Sequence, residues 1–320
     1  MTKSASHRVR VSDVERVAEG IKRFRFEEIS GRPLPAFSAG SHVIVSMHGG
    51  NGHTWRNPYS LISAPGDTSG YEISVLRAPE SRGGSQYMHE NVEQGSELDI
   101  SDPVNLFPVA RVARRHILVA GGIGITPFIA MMRELSAAGA DFELHYAMRS
   151  ASSGAFCDYL QKTYGSRVHL YRDDAGERMP LAQVLAGQPL GTHMYVCGPG
   201  AMIEWALGTG RAAGWPRESL HSEKFAAPPV GASFTVKLAR SGRDIVVGAQ
   251  QSILEALEAN GVNAPSLCRG GACGQCETRV EACTGSLQHQ DDYLTAEEKA
   301  SGGKIMICVS RASGTLTLDL

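Results

Sequence analysis

The sequence lacks three features that would each narrow the search for a function. None of its apolar runs approaches the ~18 residues that a membrane-spanning helix needs. Its first residues, MTKSASHRVRVSDVERV, contain no apolar core of a secretion signal. Its formal net charge is only −2, so no broad charge excess favours nucleic acid or an anionic membrane surface. We therefore expect a globular, cytoplasmic protein that binds neither nucleic acid nor membranes.

Cysteine is scarce as well, with seven residues in the 320-residue chain. In a reducing cytoplasm an odd number of cysteines argues against a disulfide framework. Three of the seven stand close together in residues 268–276, CRGGACGQC, which we call the cysteine loop. This crowding predicts metal or redox chemistry.

The first part of the chain contains two different patterns of apolar residues. Residues 1–110 contain short alternating apolar runs, such as 41–47 and 71–77, between turns rich in Gly, Pro and Asn. This pattern predicts an antiparallel β-barrel. Residues 111–226 alternate apolar strands with helical segments, which predicts an α/β domain with a parallel sheet.

A third segment, with its own pattern of apolar residues, follows a stretch rich in Pro and Ala. Residues 227–232 are predicted to be a linker, because Pro and Gly there suit neither helix nor strand. Residues 233–320 begin with an alternating strand and contain a helix at 252–259 before the cysteine loop. We predict a small α+β domain there, so the chain has three domains in all.

The cysteine loop has a specific ligand spacing. Cys268, Cys273 and Cys276 follow C-x4-C-x2-C, and Cys308 lies further along as a fourth ligand. This is the plant-type [2Fe–2S] spacing, and the small residues between the thiols leave room for backbone to wrap an inorganic core. The alternatives are a structural zinc site, including one that uses Cys283, and four unligated thiols.

Two glycine-rich turns in the α/β region predict a dinucleotide site. The glycine turn, residues 121–126, follows an apolar strand and contains Gly121, Gly122, Gly124 and Thr126, with Thr126 as a helix N-cap before a proline. The proline turn, residues 197–200 (CGPG), follows the fourth apolar strand. In an open parallel sheet both turns lie at the carboxyl edge, where ligands bind. Glycine needed only for tight packing is the alternative.

The barrel region carries groups suited to a flavin. The serine loop, residues 81–85 (SRGGS), precedes an amphipathic segment, so Ser85 could cap a helix and bind a phosphate. Arg56, Tyr59 and Ser60 supply a cation, an aromatic face and a hydroxyl. An ordinary helix cap and a plain barrel surface are the alternatives. A flavin would connect the other two sites, because nicotinamide gives up electrons in pairs and an Fe–S cluster accepts them singly.

Over essentially its whole length the sequence resembles the phthalate dioxygenase reductase and vanillate demethylase reductase family. The resemblance rests on Tyr59–Ser60, 83–85, 121–127, 197–199, 221–225 (HSEKF), the four cysteines and 308–312. It implies a flavin barrel, a ferredoxin-reductase-like nicotinamide domain and a β-grasp-like, C-terminal ferredoxin domain. It also implies a monomeric reductase that accepts hydride from NADH onto FMN and passes single electrons to a separate Rieske non-haem iron oxygenase.

The resemblance also implies a role for each matching residue. Arg56, Gly83, Gly84 and Ser85 would hold the flavin phosphate, Tyr59 and Ser60 would line the isoalloxazine, and Phe225 would pack near its ring. The glycine turn would bind the pyrophosphate, with Cys197, Gly198 and Pro199 beside the nicotinamide. FMN is favoured over FAD and NADH over NADPH.

Three points stay open at the level of sequence. The chain reads R-x-x-Y-S where the family often reads R-x-Y-S, so Arg77 or Arg82 could share the role of Arg56. Arg149 and Ser150 follow the second strand of the α/β region and could accept the 2′-phosphate of NADPH. Around the cluster we expect a charged, partly exposed rim formed by Arg269, Glu255, Glu258, Asp291 and Asp292.

Two other functions compete with an oxygenase reductase. The first is a stand-alone flavin-dependent reductase of ferric iron or quinones, in which the cluster only relays electrons. The second is a redox-sensing or zinc-stabilised interaction protein without enzymatic activity.

Overall fold

The computed structural model describes residues 6–50, 53–79, 81–225 and 229–320. The chain forms two compact units, Met1–Lys224 and Phe225–Leu320. Of the predicted linker, residues 227 and 228 lie outside the described residues, and residues 229–232 have neither helical nor strand structure. Among the described residues, no helix combines the length and apolar character needed to cross a bilayer.

The first half of unit 1 is an antiparallel sheet of seven strands that curls into a barrel. Its strand order is β4-β3-β6-β1-β2-β5, and β7 pairs with β3. A bridge between Leu61 and Ile73 joins the end of β4 to β5, so the two edges of the sheet meet. The elements are β1 (Ser6–Ala18), β2 (Ile21–Glu28), β3 (Ser41–His48), β4 (Thr54–Ser60), β5 (Tyr71–Leu76), α1 (Gly84–Asn91), β6 (Glu97–Ser101) and β7 (Val104–Asn105). The predicted barrel is confirmed.

The second half of unit 1 is a five-stranded parallel sheet with the order β10-β9-β8-β11-β12. Its strands are β8 (Arg115–Gly121), β9 (Asp141–Met148), β10 (Val168–Arg172), β11 (Thr192–Cys197) and β12 (Leu220–Glu223). Its helices are α2 (Thr126–Ala137), α3 (Cys157–Tyr164), α4 (Leu181–Leu185) and α5 (Gly200–Ala212). Because Ala120 pairs with Cys197 across the sheet, β8 and β11 end at the same edge. The predicted α/β fold is confirmed.

The barrel and the parallel sheet share one hydrophobic core. Ile62 and Phe107 from the barrel half pack in the same buried cluster as Leu118 and Phe128. The Ala39 amide donates to the Glu134 carboxylate at 3.0 Å, which adds a polar tie between the halves. This shared core packs the barrel half and the parallel-sheet half of unit 1 against each other.

Unit 2 is built on a mixed five-stranded sheet with the order β14-β13-β19-β15-β17, beside a small β16-β18 pair. Only the β13–β19 pair is parallel. Its elements are β13 (Phe234–Leu238), β14 (Asp244–Val247), α6 (Ile253–Ala259), β15 (Glu277–Cys283), β16 (Leu287–Gln288), α7 (Ala296–Ser301), β17 (Lys304–Met306), β18 (Arg311–Ala312) and β19 (Thr315–Leu318). This α+β arrangement is the predicted β-grasp-like fold.

A buried arginine ties distant segments of unit 2 together. The Arg311 guanidinium donates to the carbonyls of Gly248 at 3.2 Å, Ala232 at 2.9 Å and Gln251. It also lies 5.1 Å from the Phe234 ring centroid, a cation–π distance. These bonds satisfy a charge that would otherwise be costly to bury.

Candidate functional site

The four predicted cluster ligands come together as two pairs. The Sγ atoms of Cys276 and Cys308 lie 3.1 Å apart, and the thiols of Cys268 and Cys273 are hydrogen-bonded to each other. Three of these residues are buried and Cys273 is half-buried. Cys283 stands apart, with its thiol directed to the Ser313 carbonyl at 3.8 Å. Two thiol pairs suit a two-iron cluster, in which each iron takes two cysteines.

The surroundings lower the thiol pKa of one cysteine in each pair and raise that of the other. The Cys273 thiol, together with backbone amides that include Gly270, lowers the pKa of Cys268 to about 5. The Gly270 N–H lies 3.4 Å from that sulfur. The Cys308 thiol lowers the pKa of Cys276 in the same way, while the pKa of Cys308 is raised. Each pair therefore contains one readily ionised thiol, and the donor set fits an Fe–S cluster.

Glycine is required at two positions of the cysteine loop. Gly271 and Gly274 have φ values of 75° and 76°, which other residues adopt only with strain. A Cβ on Gly271 would lie 2.7 Å from Val309 Cγ2, and one on Gly274 would lie 2.3 Å from Tyr293 Cζ. A Cβ on Gly270 would meet only the Cys268 oxygen at 3.7 Å. The loop is thus pressed against the body of unit 2 at some glycines and not at others.

The prediction of a charged, partly exposed rim is wrong for two of its five residues, Arg269 and Asp291. The Arg269 side chain is only 11% exposed because it forms an ion pair with Glu258. Asp291 is buried, where its carboxylate accepts the Leu294 N–H at 2.8 Å and lies 3.6 Å from the Lys299 ammonium. Partners inside the fold turn both charges inward. Asp292 is exposed as expected, and beside it Tyr293 is 49% exposed.

In unit 1 the glycine turn and the proline turn pack against each other. A Cβ on Gly124 would lie 2.3 Å from the Cys197 carbonyl oxygen, and one on Gly198 would lie 3.1 Å from Gly121 Cα. These glycines are therefore required for close backbone packing. Gly122 differs, because its φ is 54° and a Cβ there would face open space. Among the three glycines of the turn, Gly122 is the one whose backbone is open to a ligand.

Thr126 is not the helix N-cap that the sequence predicts. A 3-10 turn, Gly122–Ile125, runs directly into α2, so Thr126 is already the first helical residue. Its buried hydroxyl donates to the Ile123 carbonyl at 3.0 Å. The prediction fails because the chain is already wound before Thr126. Any phosphate bound here would meet the turn and not a free end of α2.

A buried carboxyl group stands beside Cys197 at the carboxyl edge of the sheet. Glu223 on β12 pairs in register with Cys197 on β11. Burial raises the pKa of Glu223 to about 8, and its Oε2 atom has no hydrogen-bond partner among the described residues. Burial and the nearby Glu223 also raise the pKa of the Cys197 thiol. Both groups are therefore neutral near pH 7.

Sequence reasoning assigned no role to Glu223. The available signal was its position within 221–225, at the end of the strand that follows the proline turn's helix. The burial of Glu223 depends on neighbours that are distant in sequence. The alternation of apolar and polar residues along its own strand therefore could not predict that burial.

The serine loop lies flat against β4. Gly83 has a φ of 111° and occupies the N-cap position of α1, and a Cβ there would lie 2.7 Å from the Trp55 ring. A Cβ on Gly84 would lie 2.4 Å from Asn57 Nδ2. Both glycines therefore fit closely against side chains of β4.

Ser85 is likewise not an N-cap, because Gly83 fills that position and Ser85 lies inside α1. Its hydroxyl donates to Ser81 Oγ at 2.9 Å and accepts the Ala78 N–H at 3.3 Å. Arg77, one of the two alternative phosphate ligands, forms an ion pair with Glu90.

The barrel residues predicted to line the flavin stand at the end of β4. Burial raises the pKa of Tyr59 to about 12, and its hydroxyl accepts from Asn57 Nδ2 at 3.3 Å. Ser60 is buried and pairs in register with His42 on β3. Arg56 is half-buried on the same strand.

His42 is a second residue that sequence reasoning missed. Its ring is buried, its Nε2 atom has no hydrogen-bond partner among the described residues, and burial lowers its pKa to about 4. A neutral ring with an unsatisfied nitrogen next to Ser60 fits a polar ligand that would satisfy it. This environment supports the interpretation of the β3–β4 region as a cofactor site.

Two predicted residues lie at the margins. Phe225 is 47% exposed and is the first residue of unit 2. Arg149 is exposed beyond β9, and the Ser150 side chain caps the following turn, Ala151–Ser153. The Ser150 hydroxyl is therefore already engaged within the protein.

Comparison with known families and proteins gives a consistent result. Residues 103–220 match the family described as dimethylamine monooxygenase subunit DmmA-like, N-terminal domain, and residues 236–313 match the 2Fe-2S iron-sulfur cluster binding domain. The heme-dependent oxidative N-demethylase beta subunit of Ectopseudomonas mendocina is 47% identical, over 98% of this chain and 98% of that protein. The vanillate O-demethylase oxidoreductase of Pseudomonas sp. is 41% identical, over 97% of this chain and 98% of that protein.

A solved structure agrees over the same extent. Phthalate dioxygenase reductase, described as a modular structure for electron transfer from pyridine nucleotides to [2Fe-2S], matches with a TM-score of 0.88 and 36% identity, covering 99% of this chain and 98% of that one. The predicted [2Fe–2S] cluster, the flavoprotein class and the oxidoreductase class are thereby confirmed. The chain belongs to the phthalate dioxygenase reductase and vanillate demethylase reductase family of flavin- and [2Fe–2S]-dependent oxidoreductases that serve oxygenase systems.

Proposed function

We propose that this protein acts as a monomer, takes electrons from NADH and supplies them singly to a separate Rieske-type non-haem iron oxygenase. The observation that carries the proposal is the presence, in one chain, of two buried thiol pairs and a glycine-lined sheet edge. When bound, FMN supplies the exchange of one hydride for two single electrons, and the [2Fe–2S] cluster supplies one-electron transfer. The residues of this chain bind and orient these groups.

For the flavin we propose the surface formed by β4, the serine loop and α1. Gly83 and Gly84 keep the loop backbone close to β4, while Arg56 and Ser85 would hold the phosphate. Tyr59 and Ser60 would line the ring. The unsatisfied Nε2 of His42 adds a candidate polar contact.

For the nicotinamide nucleotide we propose the carboxyl edge of the parallel sheet. The open backbone at Gly122 would receive the pyrophosphate, with Gly121, Gly124 and Thr126 holding the turn in place and Gly198 and Pro199 forming the facing turn. Cys197 and the protonated Glu223 would form a neutral wall that excludes water, which suits the uncharged ring of reduced nicotinamide. NADH is proposed over NADPH, because the Ser150 hydroxyl is already used to cap its own turn.

We also propose the domain division 1–110, 111–226 and 233–320, with 227–232 as the linker and Cys268, Cys273, Cys276 and Cys308 as the iron ligands. Phe225 would contribute an aromatic side chain to the flavin. The cytoplasm is the proposed location, since the thiols require a reducing compartment before the cluster is inserted.

A haem-dependent oxygenase is a second candidate partner. It is favoured by the 47% identity to the beta subunit of a heme-dependent oxidative N-demethylase. Both partners need single electrons, so the reductase residues discussed above would serve either one. The difference lies in the partner, and a pull-down followed by metal and haem analysis of the captured protein distinguishes the two.

The reductase itself is tested with Cys276→Ser and, as a matched control in the same unit, Cys283→Ser. We expect Cys276→Ser to lose the [2Fe–2S] absorbance and nearly all NADH-driven reduction of cytochrome c, a one-electron acceptor, while stopped-flow reduction of the flavin by NADH continues. Cys283→Ser should match the wild type, because Cys283 lies outside the two thiol pairs.

Undiminished turnover with the physiological acceptor after Cys276→Ser would instead favour a stand-alone ferric or quinone reductase. Zinc without iron or acid-labile sulfide in the purified protein would contradict any electron-transfer role.

A further inference from the structure

One face of the parallel sheet carries polar side chains where such sheets are normally apolar. Along β9 (DFELHYAM), Glu143 and His145 alternate with apolar residues that face the core around α2 and α3. His169 on the neighbouring edge strand β10 pairs in register with His145 and therefore lies on the same face. On this face α4 and α5 cover β8 and β11, through residues such as Ile117 and Val196. Parallel sheets usually bury both faces under helices, so a polar patch here needs an explanation.

The three polar side chains converge. Each offers one ligand atom, and these atoms lie within 4.8 Å of one another. His145 Nε2 is 3.3 Å from Glu143 Oε2, close to the spacing of about 3.3 Å between two ligands of a tetrahedral zinc ion with bonds near 2.0 Å. The rings of His145 and His169 are stacked with centroids 4.8 Å apart. His169 lies on the edge strand β10 and is the more exposed of the two histidines.

The remaining atoms of the two inner residues are already held by neighbours. Tyr171 Oη lies 3.0 Å from His145 Nδ1, so it can accept the ring's one proton there and leave Nε2 available as a ligand. Arg115 binds Glu143 Oε1 and leaves Oε2 available. Partners of this kind orient metal ligands and set their tautomer in known metal sites.

The charges facing this patch permit a cation. Arg115 contributes one positive charge, while Glu143 and Asp141, which lies 3.5 Å from Arg115, contribute two negative charges. The balance of these groups is −1. The positive charge of a divalent ion would therefore partly neutralise the net negative charge of these three side chains.

We infer that Glu143, His145 and His169 form a binding site for a divalent transition-metal ion, with zinc as the ion of choice. Two imidazole nitrogens and one carboxylate oxygen are a ligand set that zinc accepts, with water in the fourth position. The ion would join the edge strand β10 to β9 through the register pair His145–His169. The site lies on the sheet face that α4 and α5 cover over β8 and β11, and none of the cluster thiols belongs to it.

The test is isothermal titration calorimetry of the full-length, flavin- and cluster-loaded protein with zinc chloride after treatment with a chelator. Visible absorbance recorded before and after titration checks that the cluster thiols stay occupied by iron. We expect one zinc ion per chain. His169→Gln should weaken binding at least a hundredfold, and Tyr171→Phe, which keeps all three ligands, about tenfold. His48→Gln removes an exposed barrel histidine and should have no effect.

Thermal unfolding provides a second readout. Zinc should raise the midpoint of the wild type and of His48→Gln but not that of His169→Gln, because only a ligand that binds the native state stabilises it. The inference is overturned if the wild type takes up no zinc, or if His169→Gln and His48→Gln bind it equally. Since His169 is exposed, its replacement should leave folding intact, which far-UV circular dichroism verifies.

Discussion

The cysteine loop of unit 2 and the glycine turn of unit 1 are both short, glycine-rich segments for which we propose a cofactor-binding role, yet they relate to their sequences in different ways. In the loop, three cysteine side chains are proposed ligands, with Cys308 outside the loop as the fourth, and the spacing of the cysteines predicts which residues meet. In the turn, the proposed contacts to the ligand come from the backbone, and two of its three glycines, Gly121 and Gly124, serve packing between the two turns. Side-chain ligands are visible in a sequence, whereas backbone ligands depend on how neighbouring segments approach.

The largest effect expected from this difference is at Gly274. Replacing Gly274 by Ala places a Cβ 2.3 Å from Tyr293 Cζ on a backbone with a φ of 76°. Backbone strain at the positive φ should cost about 1–3 kcal/mol of unfolding free energy of unit 2, and displacement of the loop from the Tyr293 ring should remove most of the [2Fe–2S] occupancy. Iron content and chemical denaturation measure both. Gly270→Ala is the control, and equal cluster loss in both variants would contradict a position-specific requirement.

A smaller effect is expected in the glycine turn. A Cβ at Gly124 would lie 2.3 Å from the Cys197 carbonyl oxygen, so Gly124→Ala should force the two turns apart. We expect a loss of about 1–3 kcal/mol of stability and an NADH affinity at least tenfold weaker, with cluster absorbance unchanged. Equilibrium binding of NADH to the oxidised protein is the measurement. Gly208→Ala on α5, where a Cβ meets only Arg211 Nη2 at 4.0 Å, should bind NADH normally.

A pH dependence of the unfolding free energy is expected from Glu223 in unit 1. Its pKa is raised by burial to about 8 from the usual 4.5, so the native state holds a proton that the unfolded state releases as pH rises between these values. Unfolding free energy should therefore fall with rising pH in that window, by at most about 1.4 kcal/mol per pH unit. Glu223→Gln should flatten this slope in urea denaturation from pH 5 to pH 8. The exposed Glu204→Gln should keep the slope, and a slope unchanged in both variants would contradict the buried proton.

The smallest structural effect is expected at Ser85. Its hydroxyl bridges Ser81 and the Ala78 amide, so Ser85→Ala should cost about 0.5–1.5 kcal/mol of unfolding free energy. If Ser85 also holds the flavin phosphate, FMN affinity should fall about tenfold, as expected for a hydrogen bond to a charged group. Fluorescence titration of the flavin-free protein with FMN tests this. Ser136→Ala on α2 serves as control, and FMN binding equal to the control would remove Ser85 from the site.

Much of the fold was predictable because alternation and helical segments are local signals. The strands at 41–48 and 71–76 lie within one residue of the predicted runs 41–47 and 71–77. Helix starts were less predictable. Thr126 and Ser85 have the right residue type for a cap, but a 3-10 turn precedes the first and Gly83 occupies the cap position before the second. Backbone conformation one or two residues upstream decides such cases, and residue type alone does not contain it.

The polar groups that sequence reasoning missed share one property. His42 and Glu223 are unremarkable in their local segments. Each becomes a candidate functional group because strands distant in sequence bury it and leave one of its polar atoms with no hydrogen-bond partner among the described residues. The inward turn of Asp291 and Arg269 has the same origin, since Lys299 and Glu258 supply their partners. Burial of charge is a tertiary property, so these assignments required the fold.

The bonds of Arg311 also bear on the order in which unit 2 can mature during synthesis. A ribosome that has made residues 268–276 has delivered three ligands, but not Cys308, not Arg311 and not the strand β19 with which β13 pairs in parallel. The Ala232 carbonyl gains its hydrogen-bond donor only when Arg311 is translated, almost eighty residues later. Until then the sheet that supports the cysteine loop is incomplete. The four-thiol site and the sheet around it can therefore be completed only after residues 308–318 have been translated.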